Sequence, residues 1–147
     1  MESERGQMFI GEYSHSIDDK GRLAIPVKFR GALASGAVVT KGLEGCLFLY
    51  TNEEWKKWAD KIQATPTSQA NARAFSRLML AGAMEVQPDK QGRVVLPKYL
   101  LQYAGIKSSV IVAGLLNRLE IWEAKAWQEY KTTTEKDAAG MAEQLFI

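Results

Sequence analysis

Two arginines of this chain each follow a glycine directly and stand four residues after an aspartate, in Asp18-Asp19-Lys20-Gly21-Arg22 and in Asp89-Lys90-Gln91-Gly92-Arg93. Both segments continue as apolar-x-(Ile/Leu)-Pro, ending at Pro26 and Pro97, and the two glycines are 71 positions apart. Asp-x-x-Gly is a turn on first principles: the aspartate accepts from amides two or more residues on, and glycine supplies a positive φ. The arginine after the glycine opens the next strand beside the turn. Its guanidinium can meet a phosphate, or the O6/N7 edge of guanine. It can also fold back on its own aspartate, so that Asp18–Arg22 and Asp89–Arg93 stiffen their turns. The two roles are compatible, because a buttressed arginine is better oriented for binding. A duplicated basic turn implies a two-fold or pseudo-two-fold surface. Such a surface suits a partner with its own regular repeat, DNA being the obvious one.

Other chemistry has little to work with. His15 is the single histidine and Cys46 the single cysteine, so no metal set of usual spacing can be assembled and no internal disulfide can form. The adjacent carboxylates Asp18 and Asp19 fit a turn better than acid–base work. There is no Gly-x-x-x-x-Gly-Lys-Ser/Thr phosphate loop and no Gly-x-Ser-x-Gly elbow. The reading is a binding protein without a cofactor, not an enzyme.

The elements that must position the two turns repeat as well. Val38-Val39 matches Val110-Ile111, Gly42-Leu43 matches Gly114-Leu115, and Leu47-Phe48-Leu49-Tyr50 matches Leu119-Glu120-Ile121-Trp122. These pairs are 72 apart, so one residue is inserted in the second copy between motif and strand. Each unit is expected to run strand, turn, short strand (22–25 or 93–96) and then proline. A short helix follows (27–33 or 98–103), then a β-branched strand (37–41 or 109–113), a glycine turn and a further strand (46–50 or 118–122). A helix closes each unit, over 53–64 with Thr51 or Asn52 as its cap, and from 124 to beyond 130, as far as 145. Trp55, Trp58 and Ile62 share one helical face. Trp127 stands at the place of Trp55 and Trp122 at that of Tyr50, and all four tryptophans are expected in the core or at subunit contacts. A linking helix over 69–80 presents Phe75, Leu78 and Met79. Arg73 and Arg77 share another side, expected at a subunit interface.

Composition sets the frame. The apolar fraction of 46% is that of a globular protein. No apolar run approaches the roughly 20 residues of a membrane span, and the first residues lack a signal-peptide core, so the expectation is cytoplasmic. The net charge is only +2, but basic residues cluster. Lys20, Arg22, Lys28, Arg30 and Lys41 occupy 20–43 with no acid between, and Lys90, Arg93, Lys98, Lys107 and Arg118 occupy 90–119 likewise. Matched basic stretches on a near-neutral chain fit one face meeting phosphates.

The doubled motif and its flanks resemble the MraZ family of tandem SpoVT-AbrB (AbrB-like) units. The likeness includes Phe9-Ile10-Gly11-Glu12-Tyr13-Ser14-His15-Ser16-Ile17-Asp18 before the first motif. Before the second it includes Ala72-Arg73-Ala74-Phe75-Ser76-Arg77 and Ala81-Gly82-Ala83. It implies an α+β fold, mainly β, with two swapped-hairpin units in pseudo-two-fold arrangement sharing a small β-barrel. The division would be 8–64 for the first unit, 65–82 for the linking helix, 83–130 for the second unit and 131–147 for a helical tail. Family members commonly begin at a methionine equivalent to Met8, so residues 1–7 are expected to be a leader, an alternative start or residues added for expression. The resemblance implies a nucleoid-associated transcriptional regulator of double-stranded DNA. It would bind direct repeats upstream of the division and cell-wall gene cluster, its own promoter included, as a homo-oligomeric ring. Recognition maps onto Asp18, Gly21 and Arg22 and onto Asp89, Gly92 and Arg93, with Lys20, Lys28 and Lys90 adding attraction. Lys20 faces Gln91 and Asp19 faces Lys90, so the two turns are not electrostatically equal. An antitoxin-like module, or an RNA-binding or scaffold oligomer, are the other readings.

Overall fold

The computed structural model describes residues 8–146; the leader reading of residues 1–7 lies outside them. The strands are β1 (Phe9–Ser16), β2 (Arg22–Ala24), β3 (Ala37–Lys41), β4 (Leu47–Thr51), β5 (Met84–Val86), β6 (Arg93–Val95), β7 (Ser109–Leu116) and β8 (Leu119–Glu123). The helices are α1 (Arg30–Leu33), α2 (Asn52–Gln63), α3 (Ala70–Ser76), α4 (Lys98–Tyr103), α5 (Ala124–Lys136) and α6 (Ala138–Phe146). A 3₁₀ turn (Val27–Phe29) leads into α1, and a π-helical turn (Arg77–Ala81) follows α3. The fold is α+β, with its strands in one large antiparallel sheet and one ribbon.

The sheet order is β1-β7-β8-β4-β3-β5, all antiparallel, and it reads as a palindrome. β3–β4 and β7–β8 are the equivalent hairpins of the two halves. They meet at the centre, where Phe48 faces Glu120. Each half's first strand crosses to the other half: β1 pairs with β7, and β5 with β3. Neither half therefore completes its sheet alone. Among the described residues no ladder closes this sheet into the expected barrel; β2 and β6 form a separate two-stranded ribbon.

Alternation explains the layering. In β4, Leu47 and Leu49 point to one side and Phe48 and Tyr50 to the other, and all are buried. The first side packs with Val39, Val112, Leu119 and Ile121 against Leu23 and Val94 of the ribbon and Phe29, Leu33 and Leu100 of the short helical segments. The second side packs with Trp122, Ile62 and Met79 against Trp55, Trp58, Phe75 and Trp127. All four tryptophans thus belong to one aromatic layer within the chain. Thr51 caps α2, its side chain accepting from Glu54 N at 3.1 Å. Glu123 caps α5 by accepting from Lys125 N and Ala126 N. The C-terminal helix predicted as one piece is two, separated at Asp137.

Candidate nucleic-acid interface

The two motif turns fold alike. In the first, Asp18 Oδ1 accepts from the Lys20 and Arg22 amides at 3.0 and 2.9 Å, and Asp18 O accepts from Gly21 N at 3.0 Å. In the second, Asp89 Oδ1 accepts from the Gln91 and Arg93 amides, both at 2.9 Å, and Asp89 O from Gly92 N at 2.9 Å. Gly21 and Gly92 have φ of +78° and +75°, a conformation that side chains other than glycine rarely take. Both arginines fold back as anticipated. Arg22 Nε donates to Asp18 Oδ2 at 2.6 Å and Arg93 Nε to Asp89 Oδ2 at 2.9 Å. The backbone N–H of Arg22, above all, and then its side chain hold the Asp18 carboxyl below its ordinary range against the opposing effect of burial; Arg93 does the same for Asp89. Among the described residues, the Nη nitrogens of both arginines make no hydrogen bond, and each side chain keeps about 31% of its surface exposed. A guanidinium fixed at Nε and open at Nη is set to donate outward.

The ribbon brings the two turns together. Arg22 pairs with Val95, Leu23 with Val94 and Ala24 with Arg93, so the pseudo-dyad passes through the Leu23–Val94 pair. Two further bonds obey it: Ile25 N donates to Gly92 O at 2.9 Å, and Leu96 N to Gly21 O at 2.8 Å. Leu23 and Val94 are fully buried and point into the core. Side chains alternate along a strand, so Arg22, Ala24, Arg93 and Val95 all stand on the outward face. The two arginines are diagonal neighbours, about 7–8 Å apart at that spacing.

Of the residues singled out from sequence, Asp18, Lys20, Gly21 and Arg22 form the first turn, and Asp89, Lys90, Gly92 and Arg93 the second. Lys20 and Lys90 are exposed at the tips. Lys28 is exposed on the 3₁₀ turn after β2, with no hydrogen bond or ion pair to either motif among the described residues. Arg30, Lys98 and Lys107 were not singled out for the site. Arg30 Nε donates to Ile25 O at 2.8 Å, and its guanidinium lies against Gly92. Lys98 and Lys107 border the first turn. Their membership in the acid-free stretches was the available signal. Arg73 donates to Thr67 O at 2.9 Å and, with Arg77, borders a hollow under the linking helix. Among the described residues there is no gathering of three His, Cys, Asp or Glu able to hold a metal ion, and no helix long and apolar enough to cross a membrane.

Comparison with known proteins gives a consistent result. The chain matches a family model described as "MraZ protein, putative antitoxin-like" twice, over residues 8–78 and 79–146. It is 45% identical over 138 residues to the transcriptional regulator MraZ of Caldanaerobacter subterraneus subsp. tengcongensis, covering 94% of this chain and 96% of that one. Over the same span it is 46% identical to the protein of that name from Thermoanaerobacter pseudethanolicus and 44% to that from Natranaerobius thermophilus, with the same coverage.

Proposed function

The chain belongs to the MraZ family, and on that footing we propose that it is a transcriptional regulator that binds double-stranded DNA through the outward face of the β2–β6 ribbon. One observation carries the proposal: the ribbon sets Arg22 and Arg93 side by side on one exposed face, each braced at Nε by its own aspartate. A two-stranded ribbon fits the major groove of B-DNA, about 12 Å wide. There an arginine meets guanine O6/N7 with two donors, or a phosphate oxygen. Arg22 and Arg93 are the contacting residues. Asp18 and Asp89 aim them, and Gly21 and Gly92 permit the turns. Lys20, Lys28 and Lys90 attract the phosphate backbone.

The finer reading follows the family. The sites are short direct repeats upstream of the division and cell-wall gene cluster, the chain's own promoter included. Several copies assemble as a ring, each copy taking one repeat, and tethering raises the effective concentration of every later contact. The crossing of β1 and β5 between halves supports the swapped-hairpin arrangement. Footprinting on the region upstream of the chain's own reading frame, with a solution mass measurement, tests this. Protected, evenly spaced short repeats are expected. No protection, together with capture of a toxin-like protein, would overturn it in favour of the antitoxin reading.

A further inference from the structure

The two turns are alike in themselves and unlike in their surroundings. Beside the first lies an open hollow of about 450 Å³, bordered by Lys20 of the turn and by Lys98 and Lys107 of the other half. All three lysines are exposed. The backbone fixes this neighbourhood: Ile17 N, just before the turn, donates to Ser108 O, just after Lys107, at 2.7 Å. Leu101 lies beneath, its Cδ1 3.7 Å from where a Cβ on Gly21 would stand.

The equivalent places beside the second turn are filled differently. Val27 stands where the repeat puts Lys98, and Ser35 or Gly36 where it puts Lys107. Pro88 replaces Ile17 and has no N–H to donate. Arg30 replaces Leu101 and is tied to Ile25 O under the turn. Two carboxylates also border the lysine hollow: Asp18, engaged by Arg22, and exposed Asp19. Lysine is a flexible, hydrated point charge that grips phosphate without demanding geometry, whereas the arginine fork suits planar edges.

We infer that Lys98 and Lys107, together with Lys20, form a seat for a DNA phosphate beside the first turn, so that the ribbon docks on the duplex in one direction. This rests on the DNA-binding reading above and assigns a direction to it. A dyad-symmetric face would dock equally well either way round; the lysine seat makes one orientation better.

The test uses the full chain and the double variant Lys98→Gln/Lys107→Gln. Anisotropy titrations are run across salt concentration, on duplex from the chain's own upstream region and on mixed-sequence DNA. The variant should bind both more weakly by a similar factor, and its salt slope should be shallower by about 1 per engaged chain, the loss of one phosphate contact. An unchanged slope would overturn the seat while leaving the DNA-binding reading standing. Failure of the unaltered chain to bind either duplex would overturn both. Direction is read by tethering an iron chelate at Gln102→Cys or at its repeat equivalent, Gly31→Cys. Both positions are exposed, a Cβ at Gly31 meets nothing within 4 Å, and native Cys46 is buried. Cleavage on opposite flanks of each site supports one orientation; identical patterns from the two tethers would refute it.

Discussion

Replacing Arg22 with alanine separates the fold from its proposed use. The side chain contributes one ion pair in a setting where both partners are about one-third exposed, 31% and 35%, so solvent screens it and folding loses little. The turn keeps its four backbone-amide bonds, because Asp18 Oδ1 and Asp18 O accept from main-chain N–H groups and Asp18 N donates to the residue 22 carbonyl, none of which alanine at position 22 removes. Against this, a bidentate arginine contact to a base is worth about 1–3 kcal/mol, or about a 5- to 150-fold loss of affinity. The loss compounds where several chains of an oligomer engage one DNA. The expected result is a melting temperature close to that of the unaltered protein, an unchanged solution mass, and loss of the retarded band in a mobility-shift titration. Leu23→Ala, one residue on but fully buried, is the contrast: it should cost about 2–5 kcal/mol of stability. Unaltered affinity in Arg22→Ala would refute the assignment. A collapse in melting temperature like that of Leu23→Ala would show that Arg22 serves the fold instead.

Gly21→Ala should destabilise more than Gly45→Ala in parallel thermal melts. Both glycines have positive φ, costing about 1–2 kcal/mol for alanine, but only at Gly21 would the new Cβ stand 2.8 Å from a carbonyl oxygen, that of Leu96, while Gly45 faces open space. Thr51→Ala removes the cap on α2 and should cost about 1 kcal/mol in a denaturant titration. Asp18 and Asp89 are held below their usual range, so the stability they add is present above the unfolded carboxylate value and fades only as pH falls through the lowered folded values. DNA binding should therefore survive acidification to about pH 5 without loss from these groups, as a titration series would show. His15 is pushed down by burial and then by Arg30, so stability should begin to fall as pH drops below about 6.5, and His15→Gln should flatten that part of a melting-temperature profile.

What could be read from sequence was what neighbouring residues decide. The β-branched run of β3 and the segment after Pro97 that becomes α4 were placed to the residue. Proline ended each motif strand, although both strands stop one residue earlier than expected. The folding back of Arg22 and Arg93 was also legible, because an aspartate four residues before a turn arginine is a local fact. The sequence pattern ends β7 at Ala113, because Gly114 has the residue type of a turn. It is instead a mid-strand glycine where the backbone of Phe9 and Ile10 comes close, and only a partner more than 100 positions away makes that visible. The same limit hid the site's surroundings. Nothing local to Lys107 says that it lies beside Gly21, or that Arg30 lies under Gly92.

The pairing of β2 with β6 also bears on how such a protein can change over generations. Had two identical chains supplied the ribbon, any substitution at one turn would have appeared at both, and its face would have stayed symmetric. It would also have come apart on dilution. Here both strands belong to one covalent chain, so the ribbon forms at any concentration, and each turn is encoded separately. Gln91 at the place equivalent to Lys20, Pro88 at that of Ile17 and Arg30 at that of Leu101 are differences that only a tandem chain can hold. With both halves in one chain, each turn is open to selection by itself.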